Sequence, residues 1–218
     1  GRCGLAPGEP VLELAKKLAK LPGVRFDGLQ AYEGHLVDIV DPQERRQKVI
    51  DDFAKAVRTR RMIESAGIPV AVISGGSSST YDITGKIDGI DEIQAGTYVT
   101  MDWQYKLLRP EFENALTVAT RIISKPSPDM AVADIGLKGM ATEFGIPQVK
   151  GNPKAVIPSY RSEEHCVIRG ETEWKIGDVI ELIPSHACTT CNLYREMLVH
   201  ENGRVVDVWP IEASGRPS

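Results

Sequence analysis

The sequence predicts an α/β chain in two parts: parallel strand–helix units over residues 1–110 and an antiparallel β domain over 111–218. Two observations predict this. In the first half, stretches with apolar residues at helical spacing alternate with short apolar runs, as in right-handed βαβ units. From about Leu116 the chain breaks into short β-rich runs divided by turn residues, the pattern of antiparallel pairing.

The elements follow in order. Pro7-Gly-Glu-Pro10 opens a helix whose Val11, Leu14, Ala15, Leu18 and Ala19 recur on one face, and Leu21-Pro-Gly23 stops it. Val24–Tyr32 reads as a strand. Asp41 can cap and Pro42 suits the first turn of a long helix whose face carries Val49, Phe53, Val57, Met62 and Ile63, with Gly67 just past its end. Ile68-Pro-Val-Ala-Val-Ile73 is a short apolar run suited to a parallel strand buried on both faces, and a weaker strand lies near Glu92–Ala95. About three parallel units cannot close a barrel, and the chain starts at Gly1-Arg-Cys-Gly4 without a preceding strand, so the reading is of an N-terminally truncated piece. In the second half the expected strands are Leu116–Ile123, Met130–Ala133, Ala155–Ile157, Val179–Ile183 and Tyr194–Val199. The last pairs with Val205–Trp209 across Glu201-Asn-Gly203.

Composition excludes several function classes. The net charge of −4 and the lack of a basic stripe argue against nucleic acid. No apolar run approaches the roughly 18 residues that span a bilayer, and no secretory leader is visible. Four unevenly spaced cysteines (Cys3, Cys166, Cys188, Cys191) suit reduced thiols in a cytoplasm better than a disulfide framework.

Candidate chemistry clusters where predicted parallel strands end. Arg2, Tyr32, Gly75-Gly-Ser-Ser-Ser-Thr80 and Gly96-Thr-Tyr98 all fall there, at the end of a (β/α) sheet that carries active sites. Gly76 with Ser77, and Gly96 with Thr97, suit a phosphate, since glycine lets amides approach an anion and hydroxyls add donors. Neither loop is a Walker or Rossmann motif, and each taken singly reads better as a plain connecting turn; two of them at successive strand ends bring the phosphate reading level with it. Further on, His186 and Cys188 lie two residues apart after a predicted strand. In an extended segment they would point to one face and could grip one metal, with positions left open for water or substrate. Cys188-Thr-Thr-Cys191 also admits a redox reading or half a zinc ribbon. The ribbon lacks its second Cys-x-x-Cys, and the redox pair requires a helix where β structure is expected.

Taken together, Gly1-Arg-Cys-Gly4, Leu29-Gln-Ala-Tyr-Glu-Gly34, Gly75-Gly-Ser-Ser-Ser-Thr-Tyr81, Glu92–Asp102, Asp134-Ile-Gly-Leu-Lys138 and Pro184-Ser-His-Ala-Cys188 resemble the D-threonine aldolase and D-serine dehydratase family. These are fold-type III, alanine-racemase-like enzymes using pyridoxal 5′-phosphate. The resemblance implies the C-terminal part of a (β/α)8 TIM-type barrel followed by a β domain, and a homodimer. It implies that Arg2 and Tyr32 flank the pyridine ring, that Gly76, Ser77, Gly96, Thr97 and Tyr98 hold the phosphate, and that His186 and Cys188 bind a divalent metal. Aldolases of the family carry aspartate at the second metal position and use manganese or a similar ion; dehydratases carry cysteine and use zinc. Cys188 therefore pulls towards zinc and dehydration, while the Leu29–Tyr32 and Glu92–Asp102 segments pull towards aldol cleavage. The expected activity is cleavage of a D-β-hydroxy amino acid, D-threonine above all, to glycine and an aldehyde. The alternatives are dehydration of D-serine or D-3-hydroxyaspartate to a 2-oxo acid and ammonia, a racemase, and a cofactor-binding protein without turnover. The family's cofactor-bearing lysine is expected upstream of Gly1, so this chain alone is expected to be unable to attach the cofactor covalently. Lys138 reads as a rim or structural residue.

Overall fold

The computed structural model describes residues 2–215. Gly1 and residues 216–218 lie outside it, and with them the first residue of the Gly-x-x-Gly turn and most of the terminal Gly-Arg-Pro-Ser stretch. The chain divides into two units, Gly1–Tyr98 and Val99–Ser218. The expected boundary at 110/111 therefore moves upstream. The reason lies in the segment from Val99 to Arg109, which is tied to the second unit: Trp103 donates its amide to the Pro184 carbonyl at 2.9 Å, and Ala115 and Leu116 donate to the Thr100 carbonyl at 2.9 and 3.1 Å.

In the first unit, α1 (Glu9–Leu18) and α2 (Pro42–Ser65) accompany β1 (Gly28–Gln30), β2 (Val72–Gly75) and β3 (Glu92–Ile93), which form one parallel sheet in the order β1-β2-β3. The capping expectation for α2 holds: Pro42 opens the helix and the Asp41 carboxylate accepts from the Glu44 amide at 2.7 Å. Val49, Phe53 and Ile63 are buried as expected, but Met62 is exposed. Neighbouring residues on a helix point about 100° apart, so Ile63 cannot face the core and carry Met62 with it. All three predicted strands shorten, the one near Glu92–Ala95 to β3. The Val24–Tyr32 strand reduces to β1 because its parallel ladder with β2 covers only Gly28–Gln30. The Ile68–Ile73 strand starts only at Val72, since Pro69 has no amide to donate. Apolar clusters pack α2 from both ends: Leu12, Ala15 and Val70 against Ile63, and Leu36 and Ile83 against Val49 and Phe53.

The second unit opens with α4 (Trp103–Leu108), after the short α3 (Tyr81–Thr84) that closes the loop following β2. Its strands are β4 (Val118–Ser127), β5 (Met130–Ala133), β6 (Gln148–Val149), β7 (Cys166–Arg169) and β8 (Val179–Ile183), antiparallel in the order β6-β8-β4-β5-β7. The expected antiparallel β domain is present. Strand β7 and the two-residue β6 were not expected, and Ala155–Ile157 is not a strand. Val156 makes only an isolated bridge with Arg169, because Asn152-Pro-Lys-Ala155 turns before it and Pro158 follows without an amide. Inward residues alternate along β4 (Val118, Thr120, Ile122) and meet Ile168, Leu182 and Met140 in a single core. A helix of five residues, α5 (Ala187–Cys191), follows β8, and β9 (Glu196–Glu201) pairs with β10 (Arg204–Pro210) in a hairpin. Its turn is the predicted Asn-Gly, with φ of 49° at Asn202 and 78° at Gly203, both left-handed as a primed turn requires.

Candidate active site

Parallel strands leave their C-terminal ends on one edge of a sheet, and the first unit places its predicted site residues along that edge. Tyr32 follows β1, and the Arg2 guanidinium lies over its ring, 5.2 Å from the centroid, within cation–π reach. The two glycine-bearing loops meet: the Tyr98 amide donates to Ser78 Oγ at 3.0 Å. Gly76 takes φ of 81°, which turns the chain so that Ser77, Ser78, Ser79 and Thr80 are all buried. Within that turn the Ser77 amide donates to Thr80 Oγ1 at 2.9 Å and the Ser79 amide to Ser77 Oγ at 3.1 Å.

The loop is anchored by a residue that sequence reasoning passed over. Glu33 is buried; its Oε2 accepts from the Gly76 amide at 3.0 Å and its Oε1 from the Thr80 hydroxyl. The one available signal was its place between Tyr32 and Gly34, a carboxylate just past a strand end. Because Glu33 occupies the Gly76 amide, Gly76 contributes its conformation to the loop and not a donor. The amides of Ser78, Gly96 and Thr97 have no internal acceptor among the described residues, and a Cβ built on Gly96 would meet nothing within 4 Å. Three unengaged amides beside hydroxyls form a donor set that fits a phosphate. Removing the anchor with Glu33→Ala would leave the buried Gly76 amide unsatisfied and the Thr80 hydroxyl with only its weaker Ser77 partners. The expected loss of about 1–3 kcal/mol of stability is checked by urea denaturation.

The metal-ligand candidates lie in the second unit, and one expectation about them is corrected. The segment after β8 is not extended. His186 alone keeps extended dihedrals (φ −139°, ψ 121°) as the residue before α5, and Cys188 sits in the first turn of that helix. The same-face argument therefore fails, yet imidazole and thiol lie close enough to shift each other's protonation. The Cys188 thiol, helped by Glu143 and opposed by partial burial, raises His186 from 6.5 to about 9. His186 in turn lowers the Cys188 thiol, against partial burial.

Three further residues hold this corner. Glu143 Oε1 lies 2.5 Å from His186 Nδ1 and also accepts from the Thr189 hydroxyl. Burial disfavours its ionisation, but the Thr189 and His186 hydrogen bonds together hold its carboxyl below the usual range. The Phe144 ring packs against the imidazole at a centroid distance of 4.4 Å. Asp102 is fully buried, caps α4 through the Tyr105 amide at 2.9 Å and accepts from the Ala187 amide at 3.2 Å, so one carboxylate fixes the backbone between His186 and Cys188. Burial pushes the Asp102 carboxyl up, against those hydrogen bonds. Asp102 is legible as a cap; Glu143, distant in sequence from His186, has no local signal.

A carboxylate on Nδ1 leaves Nε2 as the imidazole's ligand atom, and imidazole with thiolate is a donor pair suited to zinc. The pair stands without further protein ligands: among the described residues no group of three or more His, Cys, Asp or Glu could hold a metal ion. In the metal-free chain His186 is expected to titrate near 9, and in a Cys188→Ala variant to fall back towards 6.5, read from its ring protons by NMR. Since its folded value is raised, the charge adds stability that is complete below pH 6.5 and is lost as pH rises through about 9. Lys138 lies on the surface of this unit, paired with Glu163 at 3.2 Å and Glu164 at 2.8 Å, which agrees with a structural role.

Comparison with known proteins places these residues among relatives. Residues 115–200 match the model of a putative serine dehydratase domain. The chain is 34% identical over 222 residues to a D-threonine aldolase of Arthrobacter sp, and 31% identical over 226 residues to a 3-hydroxy-D-aspartate aldolase of Paracoccus denitrificans (strain Pd 1222); each alignment covers 99% of this chain. A crystal structure of D-threonine aldolase from Filomicrobium marinum matches with a TM-score of 0.90 at 28% identity, over 99% of this chain and 60% of that one. The chain spans 58% of the length of both curated relatives.

Proposed function

Because this chain belongs to the family of D-threonine aldolases and D-serine dehydratases, fold-type III pyridoxal-phosphate proteins, we propose that it serves a lyase that cleaves D-β-hydroxy amino acids to glycine and an aldehyde. The observation that carries the reading is the His186–Cys188 pair with Glu143 on Nδ1, an imidazole and a thiol whose chemistry suits a metal with positions left open. The three-stranded parallel sheet is read as part of an alanine-racemase-like (β/α) barrel.

When bound, pyridoxal phosphate supplies an electron sink at the substrate's α-carbon and a divalent metal supplies a Lewis acid for its β-hydroxyl. The chain's own residues bind and orient. Ser78, Gly96 and Thr97 would offer amides to the phosphate, Ser77 shapes their loop, and Tyr98 ties the two loops together. Tyr32, which the Arg2 guanidinium overlies, would be the aromatic residue that holds the pyridine. Glu143 holds the Nδ1 proton so that Nε2 remains a ligand, and Asp102 keeps Cys188 beside it. We read the metal as zinc, since a thiolate donor favours a softer ion than manganese.

Dehydration is the second reading. It is favoured by Cys188 itself and by the serine dehydratase domain match, which includes both metal-ligand candidates. Aldol cleavage ranks first because three relatives above 30% identity are aldolases, whereas two dehydratase relatives are 24% and 23% identical. No helix among the described residues is long and apolar enough to cross a membrane, and all four cysteines are free, which supports a reducing, cytoplasmic setting. A small D-amino acid is the proposed partner and a homodimer the proposed assembly.

Product analysis of the protein carrying this sequence tests the reading. Acetaldehyde plus glycine from D-threonine is the expected result. Pyruvate from D-serine would move the protein to the dehydratases, and turnover insensitive to chelator would remove the metal role. Retention of pyridoxal phosphate with no turnover would favour a cofactor-binding protein.

A further inference from the structure

We propose that Cys188 and Cys191 form a reversible dithiol–disulfide pair, a redox-modification site whose closure withdraws one of the two metal donors. The redox reading fails on sequence because β structure is expected after the pair. The structure removes that objection: Cys188-Thr-Thr-Cys191 lies within α5, directly after β8. A strand followed by a helix that carries both cysteines is the setting in which Cys-x-x-Cys pairs exchange disulfides. Residues three apart on a helix share a face, with Cα atoms about 5 Å apart, inside the range that a disulfide spans.

Access and occupation point the same way. Cys188 is exposed and Cys191 half-buried, whereas Cys166 is fully buried in the β core, where a small oxidant cannot reach it. Cys191 is also surplus to the metal set, because among the described residues it does not complete a three-donor group with His186 and Cys188. Two cysteines three residues apart on α5, one a candidate metal donor and one spare, can therefore be joined without dismantling a structural site.

The oxidant is a low-molecular-weight disulfide. Cys188 sulfur attacks it, breaking its S–S bond and releasing one thiol; Cys191 sulfur then attacks Cys188, forming the intramolecular S–S bond and releasing the second. Two electrons and two protons pass from the protein dithiol to the oxidant. The metal consequence rests on the functional reading above; the disulfide does not.

The test treats the metal-free chain with oxidised glutathione. The expected product is about 2 Da lighter, with one peptide link between Cys188 and Cys191, and dithiothreitol reverses it. Its Zn2+ affinity is expected to fall more than about tenfold. A Cys191→Ser variant, folded by circular dichroism, is expected to stop at a glutathione adduct on Cys188. No mass loss, a link through Cys3 or Cys166, or a 2 Da loss in Cys191→Ser (about two hydrogens) would overturn the modification site. If the disulfide forms but Zn2+ affinity is unchanged, the donor-withdrawal half fails. If the reduced chain binds no Zn2+ at all, the metal reading of the function fails while the disulfide stands.

Discussion

Replacing His186 with alanine is expected to lower Zn2+ affinity more than about 100-fold while leaving the fold intact. The imidazole is one of two protein donors, so its removal leaves Cys188 alone against water. The fold is expected to survive because the His186 side chain makes no capping hydrogen bond to α5, while loss of its contacts with Glu143 and Phe144 lowers stability. Glu143→Gln grades the effect. It keeps the shape of the Glu143 side chain but loses the charge that favours the Nδ1 proton, and a loss of about 10- to 100-fold is expected. Cys188→Asp offers an oxygen donor, and its preference is expected to move from Zn2+ towards Mn2+. Competition with a chromophoric chelator at fixed pH reads all three. Unchanged affinity in His186→Ala, with the fold retained by circular dichroism, would remove the metal role from this corner.

Gly76→Val is expected to lower stability and cofactor retention together. A left-handed φ of 81° costs a β-branched residue about 1–2 kcal/mol. Its Cβ would also lie 2.9 Å from Thr84 Cγ2 in a buried site, which adds about 1–3 kcal/mol of overpacking. Relief would require moving the backbone that presents Gly76 to Glu33 and Ser78 to Tyr98, so phosphate-donor geometry falls with stability. A urea midpoint and the retention of pyridoxal phosphate after dialysis check the two effects separately. Loss of stability with full retention would show that this loop does not hold the phosphate.

Legibility differed sharply between neighbouring features. The cap of α2 was readable because Asp41, Pro42 and Glu44 act within one turn. The Asn202-Gly203 hairpin was readable for the same reason: backbone sterics at two residues decide it. Strand β7 was not, since Cys166–Arg169 is held by pairing with β5, more than thirty residues earlier in the sequence. The helix at Ala187–Cys191 went unseen too, because five residues with two threonines have little intrinsic helix preference.

The sequence by itself determined the alternation of the first unit, the β character of the second and the identities of His186, Cys188 and the glycine-bearing loops. Those are properties of spacing, local sterics and residue chemistry. Tertiary structure alone decided that Glu33 closes the Gly76 loop, that Glu143 fixes the His186 proton and that Asp102 grips the Ala187 amide. Each of these is a carboxylate meeting a donor from a distant part of the chain. Any of the 30 acidic residues could have served, and only the folded backbone selects which ones do.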